Sequence, residues 1–308
     1  MRKSLLILFV FLGTALQGAV YDCCLFFDEI ELLKLRFEEL YNVVDYFVIV
    51  ESKTSLTGKD KPLFFDENRE MFSKYQNKIV HLVIDSFPFT FIDIDPDSPF
   101  QLMYENEDFW TRENYSRDFI LNALKDCKDT DTIFISNVNE VPRAASVKEI
   151  DNYLNGLNQK RSHSDVHQNL FVCQLGLKWL AYYMNRENPQ IWIGGCKAVP
   201  YWFLKTHQPW EVRIYHLVHH DPKKFMDAGW YFDTMGGEKR ALYKWQNNEV
   251  LFDKEMLERL SADDNLLKNT LNKMLSEYTI DSKINRTYPR YFLNNLEYFH
   301  SIGWFYQQ

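Results

Sequence analysis

A short polar segment in the middle of the chain carries oxygen-bearing side chains that could bind a ligand or a metal ion. Asn137, Asn139 and Glu140 follow the apolar run at residues 132–136 and precede Pro142. Amide and carboxylate oxygens ligate hard divalent cations. Because ligands of α/β proteins bind beyond the carboxyl ends of the strands, this segment is the first candidate for a functional site.

Alternating apolar and amphipathic segments predict the elements that position these side chains. Short apolar runs predict strands at residues 21–27, 46–50, 79–84 and 132–136. Apolar residues recur at helical spacing after the first strand, opposite a charged face, and this pattern predicts a helix packed on a sheet. The alternation is typical of an α/β fold with a mostly parallel central sheet flanked by helices.

The second half of the chain is aromatic and less periodic. It predicts strands of an added antiparallel layer at residues 171–183, 190–197 and 201–204. Helices are predicted over residues 112–125 and, as one or two helices, over residues 254–278. A capping box formed by Ser146 and Glu149 predicts a further helix that begins at Ser146.

The composition bounds the class of protein. With 308 residues, 46% of them apolar, the chain can bury a large core, and we predict one domain over residues 20–308. The net charge is -8, from 35 Lys and Arg against 43 Asp and Glu. Because no basic stretch offers a footprint for phosphate backbones, we predict that nucleic acid is not a partner.

The first nineteen residues resemble an export signal. Arg2 and Lys3 precede an apolar run at residues 5–12 and a small-residue stretch at residues 13–19. The run is short for a bilayer crossing. We therefore predict a signal peptide over residues 1–19 and an exported or lumenal location in the secretory pathway, periplasm or extracellular space. An uncleaved anchor that associates with a membrane is the alternative.

Several blocks of sequence are similar to one known family. Residues 136–142 read Ser-Asn-Val-Asn-Glu-Val-Pro and resemble the D-x-D-E-[IV]-P motif of glycosyltransferase family 17. Residues 21–51 resemble the opening βαβ unit of that family. Further similar blocks lie at residues 110–113 with 117–118, 182–185, 228–230 with 236–237, and 289–291. The resemblance therefore covers most of the chain.

The resemblance implies a specific fold and reaction. It implies a glycosyltransferase A-type fold, UDP-N-acetylglucosamine as the donor and a β-mannoside of an N-glycan-like oligosaccharide or glycoprotein as the acceptor, with inversion at the anomeric carbon. Such enzymes commonly neutralise the leaving diphosphate with Mn²⁺ or Mg²⁺ held by the D-x-D carboxylates. A carboxylate or a histidine must also take the proton of the acceptor hydroxyl.

The sequence departs from the family pattern at the cation motif. Both aspartates are replaced by amides, Asn137 and Asn139, whose oxygens offer a divalent cation a dipole instead of a charge. We expect cation affinity to be weakened, with Asn139 and Glu140 as the remaining ligands. One alternative is a degenerate protein that binds glycans or nucleotide sugars without catalysis. Another is an active transferase that uses Glu140 or an arginine in place of the metal.

The resemblance and the spacing together nominate individual site residues. For the donor we predict Asn137, Asn139, Arg112, Arg117 and Asp118, with a simple ion pair to Glu113 or Asp118 as the alternative role of the arginines. Candidates for the proton acceptor are Glu140, Asp233 and Asp227. Candidates for acceptor contacts are Trp230 and Tyr231, although Trp230 could equally fill the core.

Overall fold

The computed structural model describes residues 18–88, 107–160, 168–218, 222–249, 251–280 and 284–306. Nearly all of the predicted export segment therefore lies outside the described residues. The described chain is a mixed α/β structure with two sheets, as predicted. Within the described ranges, no helix combines the length and the apolar composition that a bilayer crossing requires.

The larger sheet contains the predicted parallel strands. Its seven strands are β1 (Val20–Leu25), β2 (Tyr46–Ser52), β3 (Ile79–Ile84), β4 (Thr132–Asn137), β6 (Cys173–Leu175), β9 (Lys197–Pro200) and β10 (Lys223–Phe225). Their order is β10-β6-β9-β4-β1-β2-β3. The four neighbours from β4 to β3 are parallel, whereas β9 runs antiparallel to β4 and to β6. The prediction of a mostly parallel central sheet is confirmed.

The smaller sheet is mostly antiparallel and supplies one wall of the site. Its strands are β5 (Glu140–Pro142), β7 (Leu177–Ala181), β8 (Arg186–Trp192), β11 (Gly229–Asp233) and β12 (Thr279–Ile280). Their order is β12-β8-β7-β11-β5, with β7 and β11 parallel. Because β5 follows β4 after two residues, the polar segment of the sequence lies where the two sheets meet.

Ten α-helices and four 3₁₀ segments are present in the described ranges. The helices are α1 (Ile30–Leu40), α2 (Phe64–Glu67), α3 (Glu107–Asp118), α4 (Ala144–Lys160), α5 (Pro209–Val218), α6 (Gly237–Asn247), α7 (Lys254–Ala262), α8 (Asp264–Met274), α9 (Arg290–Asn294) and α10 (Leu296–Ser301). The 3₁₀ segments are Arg69–Lys78, Phe119–Ala123, Gln168–Phe171 and Tyr201–Lys205.

Three predictions about secondary structure need correction. The predicted strand at residues 201–204 belongs to a 3₁₀ segment, and β6 and β9 join the larger sheet instead of the added layer. The helix that the capping box predicts begins earlier, at Ala144. Short aromatic runs fit a strand and a tight helical turn equally well, so only long-range pairing distinguishes them.

Packing explains why β4 lies at the centre of the larger sheet. Ile133, Phe134 and Ile135 are completely buried, as expected for a strand covered on both faces. They belong to a core that also contains Val48, Ile49 and residues of α1 and α4. The polar residues at the end of β4 and after it are therefore attached to the buried centre of the larger sheet.

Candidate functional site

A cavity of about 690 Å³ opens at the carboxyl ends of the parallel strands. Leu25 of β1, Ser52 of β2 and Asn137 of β4 all line it. The chain order of the strands reverses between β1 and β4, and such a reversal is where open α/β sheets bind ligands. Its volume lies within the range of about 300–1,000 Å³ that is typical of small-molecule sites.

A buried arginine fixes the polar segment under this cavity. Arg36 of α1 is completely buried and forms a bidentate ion pair with Asp22 of β1. Its Nη2 donates to Ser136 Oγ at 2.6 Å, and its Nη1 donates to the backbone carbonyls of Asn137 at 3.1 Å and Glu140 at 2.8 Å. The turn between β4 and β5 is thus held by a side chain that the sequence analysis did not single out.

Arg117 brings a guanidinium group from α3 to the end of β4. Its Nη2 donates to Glu113 Oε1 at 2.5 Å and to Asn137 Oδ1 at 3.0 Å. The side chain lines the cavity and is only 1% exposed. Its Nη1 is buried without a hydrogen-bond partner among the described residues. Because a buried donor without a partner is costly, this atom is suited to an anionic oxygen of a ligand.

Glu140 lies at the floor of the cavity, where its carboxylate is fully engaged. Arg213 of α5 pairs with Oε2, Trp192 Nε1 donates to Oε1 at 2.7 Å, and the backbone N–H of Asn137 donates to Oε2 at 2.9 Å. Burial would raise the pKa of Glu140, but Arg213 and these donors lower it to about 2. The carboxylate is therefore charged, and its role is to hold Arg213 and Trp192 in place.

A buried lysine lies beside this ion pair. The Nζ of Lys197 lies 3.1 Å from the carbonyl oxygen of Gly195 and is buried. Burial and the neighbouring Arg213 lower the pKa of Lys197 to about 7. The guanidinium of Arg213 itself is 14% exposed and lines the cavity, so it has N–H groups available to a ligand.

A second group of charges, which includes Lys244, Glu29 and Glu249, also lines the cavity. Lys244 of α6 lies 3.1 Å from Glu29 Oε1 and 3.7 Å from Glu249 Oε1. Thr234 Oγ1 lies 3.2 Å from Asp233 Oδ1 and 3.3 Å from Glu249 Oε1. Burial raises the pKa of Asp233. Burial and the charge of Asp233 also raise the pKa of Glu249, to about 7, whereas the charge of Lys244 lowers the pKa of Glu249.

Aromatic side chains also line the cavity. Tyr231 and Trp192 stack with ring centroids 4.5 Å apart and an interplanar angle of 22°. Both line the cavity, and Trp192 also holds Glu140. Trp110 of α3 lies at the cavity with 52% of its surface exposed. Flat aromatic surfaces of this kind can pack against sugar rings or bases.

Comparison with known proteins finds a family model that matches just under half of the chain. The sequence model of glycosyltransferase family 17 matches residues 12–159, which include β1 to β5, Arg117 and the segment from Asn137 to Glu140. The resemblance to glycosyltransferase family 17 is confirmed over these residues, and the similar blocks beyond residue 159 stay a prediction. The glycosyltransferase A-type subclass of the fold stays a prediction.

Three curated relatives align with part of the chain. The human β-1,4-mannosyl-glycoprotein 4-β-N-acetylglucosaminyltransferase is 29% identical over 120 residues, which are 37% of this chain and 20% of that protein. The rat protein of the same name is 29% identical and the mouse protein 28% identical over the same coverage. The alignment thus spans about a fifth of the length of the relatives.

The residues at the family's cation motif do not fit a divalent metal ion. Asn137 Oδ1 accepts from Arg117, and the predicted ligand Glu140 is paired with Arg213. Of the three motif side chains, only Asn139 keeps an oxygen without a partner in the described residues, so a single motif oxygen remains for a cation. Nowhere in the described ranges do three His, Cys, Asp or Glu side chains converge as a metal site. Two guanidinium groups beside the motif would also repel a cation.

The structure brings some predicted site residues to the cavity and places others elsewhere. Asn137, Asn139, Arg117, Glu140 and Tyr231 line it. Asp233 lies beside it, next to Glu249. Glu140 does not fit the predicted role of proton acceptor, because its pKa is low and both of its oxygens are engaged.

Four other predicted site residues are not among the residues that line the cavity. Arg112 Nη1 donates to the carbonyl of Leu56, and Asp118 accepts from the backbone N–H of Trp210 at the start of α5. Both therefore support neighbouring loops and helices instead of the donor.

The predicted proton acceptor Asp227 and the predicted acceptor contact Trp230 also need correction. The side chain of Asp227 is 84% exposed and pairs with Arg143. Trp230 is 1% exposed and fills the core, with its Nε1 donating to the carbonyl of Thr287 at 2.8 Å. Trp230 therefore has the alternative role given in the sequence analysis, in which its indole fills the core.

Several cavity residues were missed because they arrive from distant parts of the sequence. Arg213, Trp192 and Glu249 belong to the less periodic second half, and none lies in a local motif. Pairing of β8 with β7 brings Trp192 to the site, packing of α5 against α3 and β4 brings Arg213, and Glu249 follows the end of α6.

Proposed function

We propose that this protein transfers N-acetylglucosamine from UDP-N-acetylglucosamine to a β-mannoside hydroxyl of an N-glycan-like acceptor, with inversion at the anomeric carbon. The observation that carries the proposal is Arg117 Nη1. This buried donor lacks a partner among the described residues and lies in a cavity at the carboxyl ends of β1, β2 and β4. The family match covers this part of the chain. The names of the relatives motivate the donor sugar and the acceptor.

In the proposed reaction, arginines replace the metal ion. Arg117 and Arg213 provide fixed guanidinium groups at the position where the family motif would hold a cation. A guanidinium group offers a diphosphate parallel N–H donors and a permanent positive charge. Charge that develops on the leaving UDP would therefore be stabilised without a metal ion.

The export segment motivates the proposed location. Residues 1–19 would direct the protein to an exported or lumenal compartment, where glycan acceptors are present, and an uncleaved segment would tether it to a membrane. Amino-terminal sequencing of the purified natural protein distinguishes the two forms, because cleavage removes this segment.

Calorimetry with UDP and UDP-N-acetylglucosamine tests the donor site. We expect both nucleotides to bind equally well in excess chelator and in manganese, because the charges at the site belong to the protein. Arg117→Met is expected to weaken binding by about tenfold to about a hundredfold, since a hydrogen bond to a charged group is worth about 1.5–3 kcal/mol.

Arg259→Met is the matched control, because Arg259 is exposed on α7 outside the cavity. It should leave the affinity for UDP unchanged. Absence of binding of either nucleotide at millimolar concentration would remove the donor assignment, and equal losses in both variants would remove the role of Arg117.

A non-catalytic binding protein is the second candidate, and the amides at the cation motif favour it. Under this alternative, the natural protein binds UDP-N-acetylglucosamine without turnover, and Asn137→Asp with Asn139→Asp restores turnover in manganese. Under our proposal, the natural protein already turns over the donor in excess chelator. Mass spectrometry of released UDP and transferred sugar measures both outcomes.

The control for charge is Asn265→Asp with Asn269→Asp, two exposed positions on α8. This variant changes the net charge by the same amount away from the cavity and should behave like the natural protein. If turnover appears only in the variant Asn137→Asp with Asn139→Asp, the natural protein is a binding protein and the transferase proposal is wrong.

A further inference from the structure

An inverting transfer needs a proton acceptor. Of the three predicted candidates, Glu140 and Asp227 do not fit, and Asp233 lies beside the cavity without lining it. Four carboxylates in the described residues line the cavity, and three of them are committed elsewhere. Glu113 pairs with Arg117, and Glu140 pairs with Arg213. Glu29 pairs with Lys244 and accepts from the backbone N–H groups of residues 27 and 28.

Glu249 differs from the other three carboxylates in geometry. Only its Oε1 is contacted among the described residues, by Thr234 Oγ1 at 3.3 Å and more distantly by Lys244 at 3.7 Å. Its side chain is 30% exposed, whereas those of Glu29, Glu113 and Glu140 are 9%, 12% and 0% exposed. Glu249 therefore presents one uncommitted carboxylate oxygen to the cavity.

We propose that Glu249 is the catalytic residue that accepts the proton of the attacking acceptor hydroxyl, an inference that rests on the transfer reaction proposed above. The acceptor oxygen forms the new bond to the anomeric carbon while its proton passes to Glu249 Oε2. The bond between the anomeric carbon and the β-phosphate oxygen breaks, and its electron pair leaves with UDP. The proton is then released from Glu249 to solvent.

The surroundings of Glu249 suit a base that works near neutral pH. The charged and titratable groups that face it are Lys244, Asp233, Glu29, Tyr182 and Tyr231. Burial and Asp233 raise the pKa of Glu249 to about 7, against the effect of Lys244. A base is most effective when its pKa lies near the working pH. Since only the ionised form accepts a proton, turnover should rise as the pH increases through about 7.

The test uses Glu249→Gln in the full chain, with UDP-N-acetylglucosamine as donor and either water or methyl β-mannoside as acceptor. We expect turnover to fall by about a hundredfold to about ten-thousandfold, the range that positioned bases contribute. The affinity for UDP and the melting temperature should stay unchanged. Glu258→Gln, at an exposed position on α7, is the control and should keep full turnover.

A second variant separates catalysis from structure through the pH profile. Asp233→Asn removes a charge that raises the pKa of Glu249, so the acid limb of the rate profile should move to lower pH. A purely structural role of Glu249 would lower the rate without an acid limb near neutral pH, and this result would overturn the inference.

The remaining outcomes distinguish the inference from the proposed function. If the natural protein binds no UDP, the donor site itself is wrong. If it binds UDP but turns over neither acceptor, the proposed transfer is wrong and the assignment of Glu249 as its base fails with it, while the donor site stands. If Glu249→Gln keeps the turnover of the natural protein, the transfer reaction stands and another group accepts the proton.

Discussion

Arg36→Met is expected to lower the free energy of unfolding by about 3–5 kcal/mol, because it leaves the charge of Asp22 buried without its partner. Asp22 is 1% exposed, and both of its carboxylate oxygens accept from Arg36. The variant also removes donors from Ser136 Oγ and from the backbone carbonyls of Asn137 and Glu140. Urea denaturation of both proteins measures the loss.

The double variant Asp22→Leu with Arg36→Met separates the unpaired charge from the lost turn contacts. Replacing both partners of a buried ion pair by apolar residues is often close to neutral. We expect the double variant to regain part of the stability, because the carbonyls of Asn137 and Glu140 still lack a donor. A single variant as stable as the natural protein would mean that Arg36 does not organise the turn.

The same variants connect stability to binding. Arg36 does not line the cavity, but it holds the turn that carries Asn137 and Asn139. We therefore expect UDP affinity to fall in both variants even at temperatures where the protein remains folded. Affinity that stays constant would show that the turn keeps its position without the arginine.

The first half of the fold could be predicted because local pattern and tertiary structure agree there. The predicted strands at residues 46–50, 79–84 and 132–136 match β2, β3 and β4 to within two residues. Each is a continuous apolar run between polar segments, and α1 shows clear helical spacing. Where local conformational preference and the global fold agree in this way, secondary structure can be predicted from the sequence.

The second half could be predicted less well because its pairing is not local. β9 is four residues long and joins β4 more than sixty positions earlier in the chain, while the run at residues 201–204 is a 3₁₀ segment. Aromatic side chains pack well in either conformation. No periodicity within such short runs can decide between them.

The candidate site likewise contains some residues that could be predicted from the sequence and others that could not. The resemblance, together with their place beside a recognisable strand, nominated Asn137, Asn139 and Arg117, and all three line the cavity. Glu140 was assigned the wrong role because burial and the approach of Arg213 are invisible in the local sequence. Glu249 was missed because nothing near it in the sequence distinguishes it from a surface carboxylate.

Gly195→Ala is expected to disrupt the floor of the cavity, because a β-carbon at this position would overlap Glu140 Oε1 and Trp192 Nε1. Neither group can easily move, since Glu140 is completely buried and Trp192 stacks on Tyr231. Separating Glu140 from its donors leaves a buried charge poorly paired. We expect the free energy of unfolding to fall by about 3–5 kcal/mol.

Gly194→Ala provides a matched control for the effect of Gly195→Ala. A β-carbon at Gly194 would lie 3.7 Å from the ring of Trp192, which is ordinary van der Waals contact. Its effect on stability should stay within about 0.5 kcal/mol. Thermal unfolding and UDP calorimetry of the two variants therefore separate loss of backbone flexibility from loss of the Glu140 contacts. Equal behaviour of both variants would mean that the ion pair of Glu140 and Arg213 tolerates displacement and does not fix the cavity floor.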